Sequence, residues 1–229
     1  PAVAGSAIVN TTAGLCLGQK IILDLNGNST GGAQTYVWQK STTANGPWVD
    51  ISDSLYSPKF EYELNDVSTY FRAVVSCGAT RANSTSVQIV LNPLMIAGDY
   101  TIDPALPTAG RNFASFKEAV AALQCGIEGT VRFLVVPGEY NEQVLINKVP
   151  GTSDKAGVTF LSNNNSKASV TLTAAGTVVD NYVLKFNGAQ HITFRDITIK
   201  ATDVNYGNAV VYETNASYDT ILNCSVVVP

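Results

Sequence analysis

The chain of 229 residues is long enough for one large or two ordinary domains, and 45% of its residues are hydrophobic, which is enough for buried cores. Only 14% are charged, and the formal net charge of −4 comes without any run of lysine and arginine, which argues against nucleic acid as a partner. No apolar run approaches the roughly 20 residues of a membrane-spanning helix, which argues against membrane insertion. Because few residues are charged, the surface must consist largely of Thr, Ser, Asn and Gly, which favours an extracellular β-protein.

Residues 1–92 alternate short apolar patterns with turn residues, which predicts a β-sandwich. In the segment 70–77, strand alternation places Phe71, Ala73, Val75 and Cys77 on one face, as a half-buried strand requires. The predicted strands of this domain are 20–25, 35–40, 48–51, 60–63, 70–77 and 86–91.

The four cysteines are Cys16, Cys77, Cys125 and Cys224, and the absence of a Cys-x-x-Cys pattern argues against a zinc or redox site. We predict a disulfide between Cys16 and Cys77, which in the chain-entropy model contributes about 4 kcal/mol and forms in an oxidising compartment. For Cys125 and Cys224 two alternatives stay open, a second bridge or two small buried hydrophobic residues.

This first segment is similar to a known family of modules. The residues that carry the similarity are Cys16, Tyr36, Trp38, Gly46, Trp48, Tyr70, Arg72 and Cys77. They resemble the Ig-like modules of large bacterial surface and secreted proteins, notably type IX secretion cargo. The resemblance implies an Ig-like sandwich, with Trp38 in its core and a sugar-stacking role as the alternative. The cysteine positions depart from the antibody pattern, so we expect the predicted Cys16–Cys77 bridge to lie at the edge of the sandwich.

Prolines and glycines between residues 93 and 112 predict an irregular connector. A new domain follows it, from 113 to 229. Ser115 and Glu118 have the spacing of a capping box, and the apolar stripe that starts at Phe116 stops before Gly126. The pattern predicts one amphipathic helix, which we expect to cover the end of the domain that follows.

The segment 181–201 is repeated at 208–228, at an offset of 27 residues. A fixed period of this size, with short apolar strands and Asn/Gly corners, predicts a parallel β-helix. The offset places Phe194 on Ile221, Ile197 on Cys224 and Ile199 on Val226. Earlier strands are predicted at 130–136, 143–149, 158–162 and 170–173.

The opening of this domain carries the second resemblance. Pro137, Gly138, Tyr140 and Glu142, with the preceding segment 112–120, resemble the first coils and cap of the pectin-lyase-like superfamily. The two resemblances together imply an all-β chain, an Ig-like sandwich followed by the start of a right-handed parallel β-helix with one N-terminal capping α-helix. The superfamily contains lyases, esterases, hydrolases, adhesins and stalks, so the fold implies no particular activity.

Asp180, Arg195, Asp196 and Lys200 are the nearest counterparts of the superfamily's catalytic residues. Arg195 and Asp196 are neighbours on a predicted strand, so we expect them to point to opposite faces and not to form one site. Glu142 is interpreted as a capping or turn contact in preference to a general acid. We therefore assign no catalytic residue, no metal site and no cofactor.

His191, the only histidine, is interpreted as a surface or stacking residue whose partner in the repeat is Tyr218. Several tyrosines are either strand-packing residues or sugar-stacking positions. They are Tyr56, Tyr62, Tyr182, Tyr206, Tyr212 and Tyr218.

The last predicted coil leaves Ile221, Val226 and Val228 exposed, so we expect continuation into another coil or self-association by strand addition at 208–229. The sequence favours a non-enzymatic extracellular surface, adhesin or structural assembly module that is part of a larger secreted protein. The alternatives are the N-terminal, non-catalytic portion of a polysaccharide-degrading enzyme, or a carbohydrate-binding module. Carbohydrate is thus the candidate ligand.

Overall fold

The computed structural model describes residues 1–229. In it 47% of the residues lie in strands and 4% in helices, which confirms the prediction of an all-β chain. The chain divides into two compact units, Pro1–Pro93 and Leu94–Pro229.

The first unit consists of two antiparallel sheets around one core. Its strands are β1 (Ser6–Val9), β2 (Lys20–Asn26), β3 (Gln34–Ser41), β4 (Val49–Asp50), β5 (Phe60–Glu63), β6 (Tyr70–Cys77), β7 (Thr80–Asn83) and β8 (Val87–Gln88). One sheet has the order β1-β2-β5 and the other β4-β3-β6-β7, with β8 also paired to β6. Trp38, Phe71, Ala73 and Val75 are fully buried between them, so the alternation predicted for 70–77 is confirmed at those positions.

The predicted disulfide between Cys16 and Cys77 is wrong. Cys77 is a free, half-buried thiol, Cys224 is free as well, and the disulfide-bonded cysteines are Cys16 and Cys125. Cys77 ends β6 opposite Gln34 on one side and Thr80 on the other, so its strand neighbours are not cysteines. Cysteine count and spacing predicted that a bridge forms, but they did not identify the pair.

The second unit is built mainly from parallel strands. They are β9 (Met95–Ile102), β10 (Asn112–Phe113), β11 (Ile127–Val135), β12 (Gly138–Asn141), β13 (Val144–Asn147), β14 (Val158–Ser162), β15 (Val170–Ala174), β16 (Leu184–Asn187), β17 (Ile192–Arg195), β18 (Thr198–Ala201), β19 (Val210–Glu213), β20 (Thr220–Leu222) and β21 (Ser225–Val227). They form three sheets with the orders β10-β9-β11-β14-β17-β20, β12-β15-β18-β21 and β13-β16-β19. The chain visits the three sheets in turn, and we call each such passage a coil.

Rows of identical or similar side chains run from coil to coil inside this unit. Phe133, Phe160 and Phe194 occupy aligned positions on β11, β14 and β17, and their rings stack at 4.7 and 4.8 Å. Ile221 on β20 continues the row below Phe194. Such rows follow from parallel pairing in register, because every coil places the same position at the same inward site.

The predicted offset of 27 residues is confirmed for two of the three sheets. Phe194 pairs with Ile221 and Ile199 with Val226. On the third sheet, β16 and β19 pair at an offset of 26, so Phe186 lies over Tyr212 and the two rings stack at 4.7 Å. At the predicted offset of 27, the buried Phe186 would have paired with Glu213. Neighbouring residues of a strand point to opposite faces, so a slip of one residue would place an outward side chain at this inward position.

One helix, α1 (Phe116–Ala122), lies in the second unit and is followed by a short 3-10 helix over Leu123–Cys125. The Ser115 hydroxyl accepts a hydrogen bond from the Glu118 backbone N–H at 3.1 Å, which confirms the predicted N-cap. Phe116 is buried, and its ring packs edge-on against Tyr140 at 5.1 Å. The helix therefore contributes its apolar face to the core of the second unit.

The segment 93–112, predicted to be an irregular connector, contains strand β9. This strand pairs in parallel with β11 and places Tyr100 and Ile102 in the core. Gly98 has a φ of 128° and lies where the pairing of β9 with β11 is irregular. This irregularity interrupts the alternation of apolar and polar residues from which a strand is predicted.

Candidate functional site

Arg195, Asp196 and Asn223 form a polar contact at one corner of the second unit. Strand β17 ends at Arg195, and Asp196 has the left-handed φ of 54°. Strand alternation therefore stops at Asp196, and Arg195 Nε donates to Asp196 Oδ2 at 3.0 Å. The expectation that the two side chains point to opposite faces is wrong for this reason.

Asp196 is 2% exposed, and its second oxygen, Oδ1, accepts a hydrogen bond from Asn223 Nδ2 one coil further on. Asn223 has the same left-handed backbone, with φ 52°. A buried carboxylate needs such partners, since burying an unpaired charge is costly. The geometry therefore assigns Asp196 to holding adjacent coils together.

Asp180 and Lys200, the other two candidates, lie apart from this corner. Asp180 is exposed, and its backbone closes a turn with Thr177 through two hydrogen bonds of 3.0 Å. Lys200 is exposed on β18 and aligned with Thr173 and Val227. No hydrogen bond or ion pair joins either residue to Asp196, so the four candidates do not form one constellation.

Glu142 stabilises the start of helix α1, which confirms its interpretation as a capping contact. Its two carboxylate oxygens accept hydrogen bonds from the backbone N–H groups of Phe116 at 2.9 Å and Lys117 at 3.0 Å. These are first-turn donors that have no partner within the helix, and a negative charge also suits the positive end of the helix dipole. The contact joins residues 26 positions apart, so no local pattern predicts it.

A second corner brings His191 and Tyr218 together. Their rings stack at 5.1 Å with an angle of 5°, and both residues have left-handed φ values of 57° and 60°. The predicted pairing of His191 with Tyr218 is therefore confirmed. The Tyr218 side chain is 76% exposed, so the outer face of this stacked pair is open to solvent.

Asp219 lies beside this pair and is only partly satisfied. Its Oδ1 accepts a hydrogen bond from the Ile192 backbone N–H at 2.9 Å, whereas its Oδ2 is buried without a hydrogen bond. Burial raises the pKa of Asp219 above its ordinary value, and the Ile192 N–H and His191 only partly oppose this effect.

The other predicted aromatic positions divide between core and surface. Trp38 is fully buried, which confirms its assignment to the core. Tyr62 and Tyr182 are buried, and Tyr56, Tyr206 and Tyr212 are exposed. Trp48, which is half-buried, carries the Arg72 guanidinium over its ring at 4.2 Å, so one face of its indole is occupied.

The predicted edge residues of the last coil are largely exposed. Val226 and Val228 are 52% and 57% exposed, and Ile221 is half-buried against the core. Association through this edge stays a prediction.

The second unit has a groove of about 460 Å³ beside helix α1. Its lining comes from one face of the helix and from the segment 143–149 around β13. The lining residues are Lys117, Val120, Ala121, Leu123, Gln124, Gln143, Val144, Leu145, Ile146, Asn147, Lys148, Val149 and Tyr182. No sequence pattern predicts this groove, because its two walls come from separate elements.

Comparison with known proteins yields one match. Residues 3–93 match the model of a family described as a domain of unknown function (DUF8696), so the similarity covers the first unit. No curated protein and no solved structure matches the chain. None of the helical segments has the length and hydropathy of a membrane-spanning helix. No three His, Cys, Asp or Glu side chains cluster as metal ligands would.

Proposed function

We propose that this chain is a non-enzymatic module of an extracellular or cell-surface protein, formed by an Ig-like sandwich and the capped start of a right-handed parallel β-helix. The resemblance of the first unit to the Ig-like modules of type IX secretion cargo supports the location. The similarity of residues 137–142 to the opening of pectin-lyase-like proteins supports the second fold. Its in-register rows of Phe133, Phe160 and Phe194 agree with that assignment.

One observation carries the structural role: the acidic side chains best placed for catalysis are occupied in holding the fold. Both oxygens of Glu142 bind helix N–H groups, and both oxygens of Asp196 bind side chains of Arg195 and Asn223. A general acid or base needs a proton-exchanging oxygen within reach of a substrate. These carboxylates instead connect helix to coil and coil to coil, as a stalk or display scaffold requires.

The exposed pair of His191 and Tyr218 favours carbohydrate binding as a second candidate function. A flat aromatic surface with a polar neighbour is the type of site on which a sugar ring stacks. Tyr218→Ala would abolish such binding. Tyr56→Ala is the matched control, because it removes a tyrosine of the other unit that is 84% exposed, against 76% for Tyr218.

The proposal is tested by assaying the purified chain on pectin, polygalacturonate and alginate for new reducing ends and unsaturated products. We expect no turnover. Turnover that survives purification and disappears in Asp196→Asn, but not in the control Asp203→Asn, would overturn the non-enzymatic role. The location is tested separately, by surface proteolysis of intact producing cells. A chain that is protected inside the cells, with Cys16 and Cys125 reduced, would contradict the extracellular assignment.

A further inference from the structure

Three Asn-Gly dipeptides occur in the chain, and the structure holds their glycines in different ways. They are Asn26-Gly27, Asn45-Gly46 and Asn187-Gly188. In such a dipeptide the glycine nitrogen can attack the side-chain amide carbon of the asparagine, because glycine has no side chain that hinders the approach. Asparagine is for this reason a chemically labile residue. The dipeptide alone makes all three sites equal candidates for this reaction.

The Asn187-Gly188 site is held by the neighbouring coils. The Gly188 N–H donates to the Glu213 carbonyl at 3.0 Å, and the Asn187 side-chain amide donates to Asn147 Oδ1 at 2.8 Å. Both residues of the dipeptide are half-buried. The attacking nitrogen and the amide that would leave are therefore both engaged, and these hydrogen bonds have to open before the reaction can begin.

The Asn45-Gly46 site is hindered in a different way. The Gly46 N–H donates to the Thr43 carbonyl at 3.3 Å, which closes a turn. A Cβ at Gly46 would lie 2.7 Å from Cδ1 of Trp48, so the indole ring crowds this glycine. The Asn45 side chain is exposed, but the nitrogen that would attack it is engaged.

Asn26-Gly27, at the end of β2, is the open site. Both residues are exposed. The Gly27 N–H makes no backbone hydrogen bond, and a Cβ at Gly27 would meet no atom within 4 Å. Nothing therefore has to open before the Gly27 nitrogen reaches the Asn26 amide. We infer that Asn26 is the site at which the folded chain deamidates spontaneously.

The reaction needs only water as a co-reactant. The Gly27 nitrogen loses its proton and bonds to Asn26 Cγ, the bond from Cγ to Nδ2 breaks, and Nδ2 leaves as ammonia with a proton from the solvent. The product is a cyclic imide. Water then opens the imide at either of its carbonyls, which leaves aspartate or isoaspartate at position 26. Both products carry a negative charge that asparagine lacks, and no atom is oxidised or reduced.

The turn that follows β2 holds the first segment of the chain. The Ser29 N–H donates to the Val3 carbonyl at 2.9 Å, and the Val3 N–H donates to Ser29 Oγ at 3.0 Å. A Cβ at Gly5 would lie 2.2 Å from the Asn26 carbonyl oxygen, so the two backbones are in close contact there. Isoaspartate adds a carbon atom to the backbone at position 26 and shifts this contact. Conversion therefore loosens β1.

The folded chain is tested by incubation at mildly alkaline pH, followed by digestion with trypsin and mass spectrometry. The three dipeptides lie on different tryptic peptides, 21–40, 41–59 and 186–195, so one digest compares them, and fragmentation separates Asn26 from Asn28. A sample digested before incubation gives the baseline. Asn26 should convert about fivefold faster or more than the asparagines of the other two dipeptides, as a hydrogen bond that must first open implies.

Unfolding the chain separates the effect of structure from that of sequence. In guanidinium chloride the hydrogen bonds and contacts are lost, so the three dipeptides should convert at similar rates. The inference is overturned if Asn26 does not convert in the folded chain, if either of the other dipeptides converts as fast, or if the same ranking persists in guanidinium chloride.

The effect on β1 is measured by hydrogen exchange during the incubation. Exchange in β1 should rise as Asn26 converts, and it should rise equally in Asn45→Gln. It should stay constant in Asn26→Gln, because the longer side chain of glutamine forms a ring with the next nitrogen far less readily. Exchange in β1 that stays constant while Asn26 converts, or that rises equally in Asn26→Gln, would overturn the loosening of this strand.

Discussion

Replacing Glu142 tests whether a single distant carboxylate stabilises helix α1. In Glu142→Ala the N–H groups of Phe116 and Lys117 lose acceptors at 2.9 and 3.0 Å. Loss of an N-terminal cap costs about 0.5–2 kcal/mol, and hydrogen bonds to a charged group contribute about 1.5–3 kcal/mol. Because water can reach part of this site, we expect the free energy of unfolding to fall by about 2 kcal/mol. For Glu142→Gln we expect about half that loss, since one amide oxygen can still accept a bond.

The assay is urea unfolding followed by circular dichroism and by tyrosine fluorescence. Glu139→Ala is the matched control, because it removes an exposed carboxylate on β12, three residues before Glu142. A loss of about 2 kcal/mol corresponds to a decrease of about 4–8 °C in Tm for a domain of this size. The reasoning is refuted if Glu142→Ala unfolds at the same urea concentration as Glu139→Ala.

Three further predictions concern the free cysteines, Asp219 and the exposed edge of the last coil. Alkylation of the protein without reduction should label the two free cysteines, Cys77 and Cys224. A peptide map in which Cys77 is not alkylated would contradict Cys16 and Cys125 as the disulfide-bonded cysteines. Burial raises the pKa of Asp219 above 3.8, so the folded state holds this proton more tightly than the unfolded state and the free energy of unfolding falls as pH rises above about 4. Asp219→Asn should therefore be more stable than the wild type at pH 7, and this advantage should vanish below about pH 4. A difference in urea midpoint that does not change with pH would contradict this. Val226 is 52% exposed, so light scattering should show concentration-dependent association that Val226→Lys suppresses; a monomer at all concentrations would contradict association through this edge.

The repeat could be predicted from the sequence because strand alternation and period are local properties. An inward position needs an apolar residue in every coil, so Phe194 and Ile221, or Ile199 and Val226, recur at the offset at which they pair. The N-cap at Ser115 was predictable for the same reason, since donor and acceptor lie within one helical turn.

Contacts that depend on how distant segments meet were decided only by the tertiary structure. The connection from β18 to β19 has one residue fewer than the connection from β15 to β16, as the change of offset from 27 to 26 shows, so Tyr212 and not Glu213 stacks on Phe186. The left-handed turn at Asp196, which brings its carboxylate to Arg195, is likewise invisible to an alternation rule. The sequence records which residues favour burial and turns at each position. The helix contacts of Glu142, the choice of Cys16 and Cys125 as the disulfide-bonded cysteines, and the groove beside β13 depend on packing between elements far apart in the chain. No local periodicity encodes such packing.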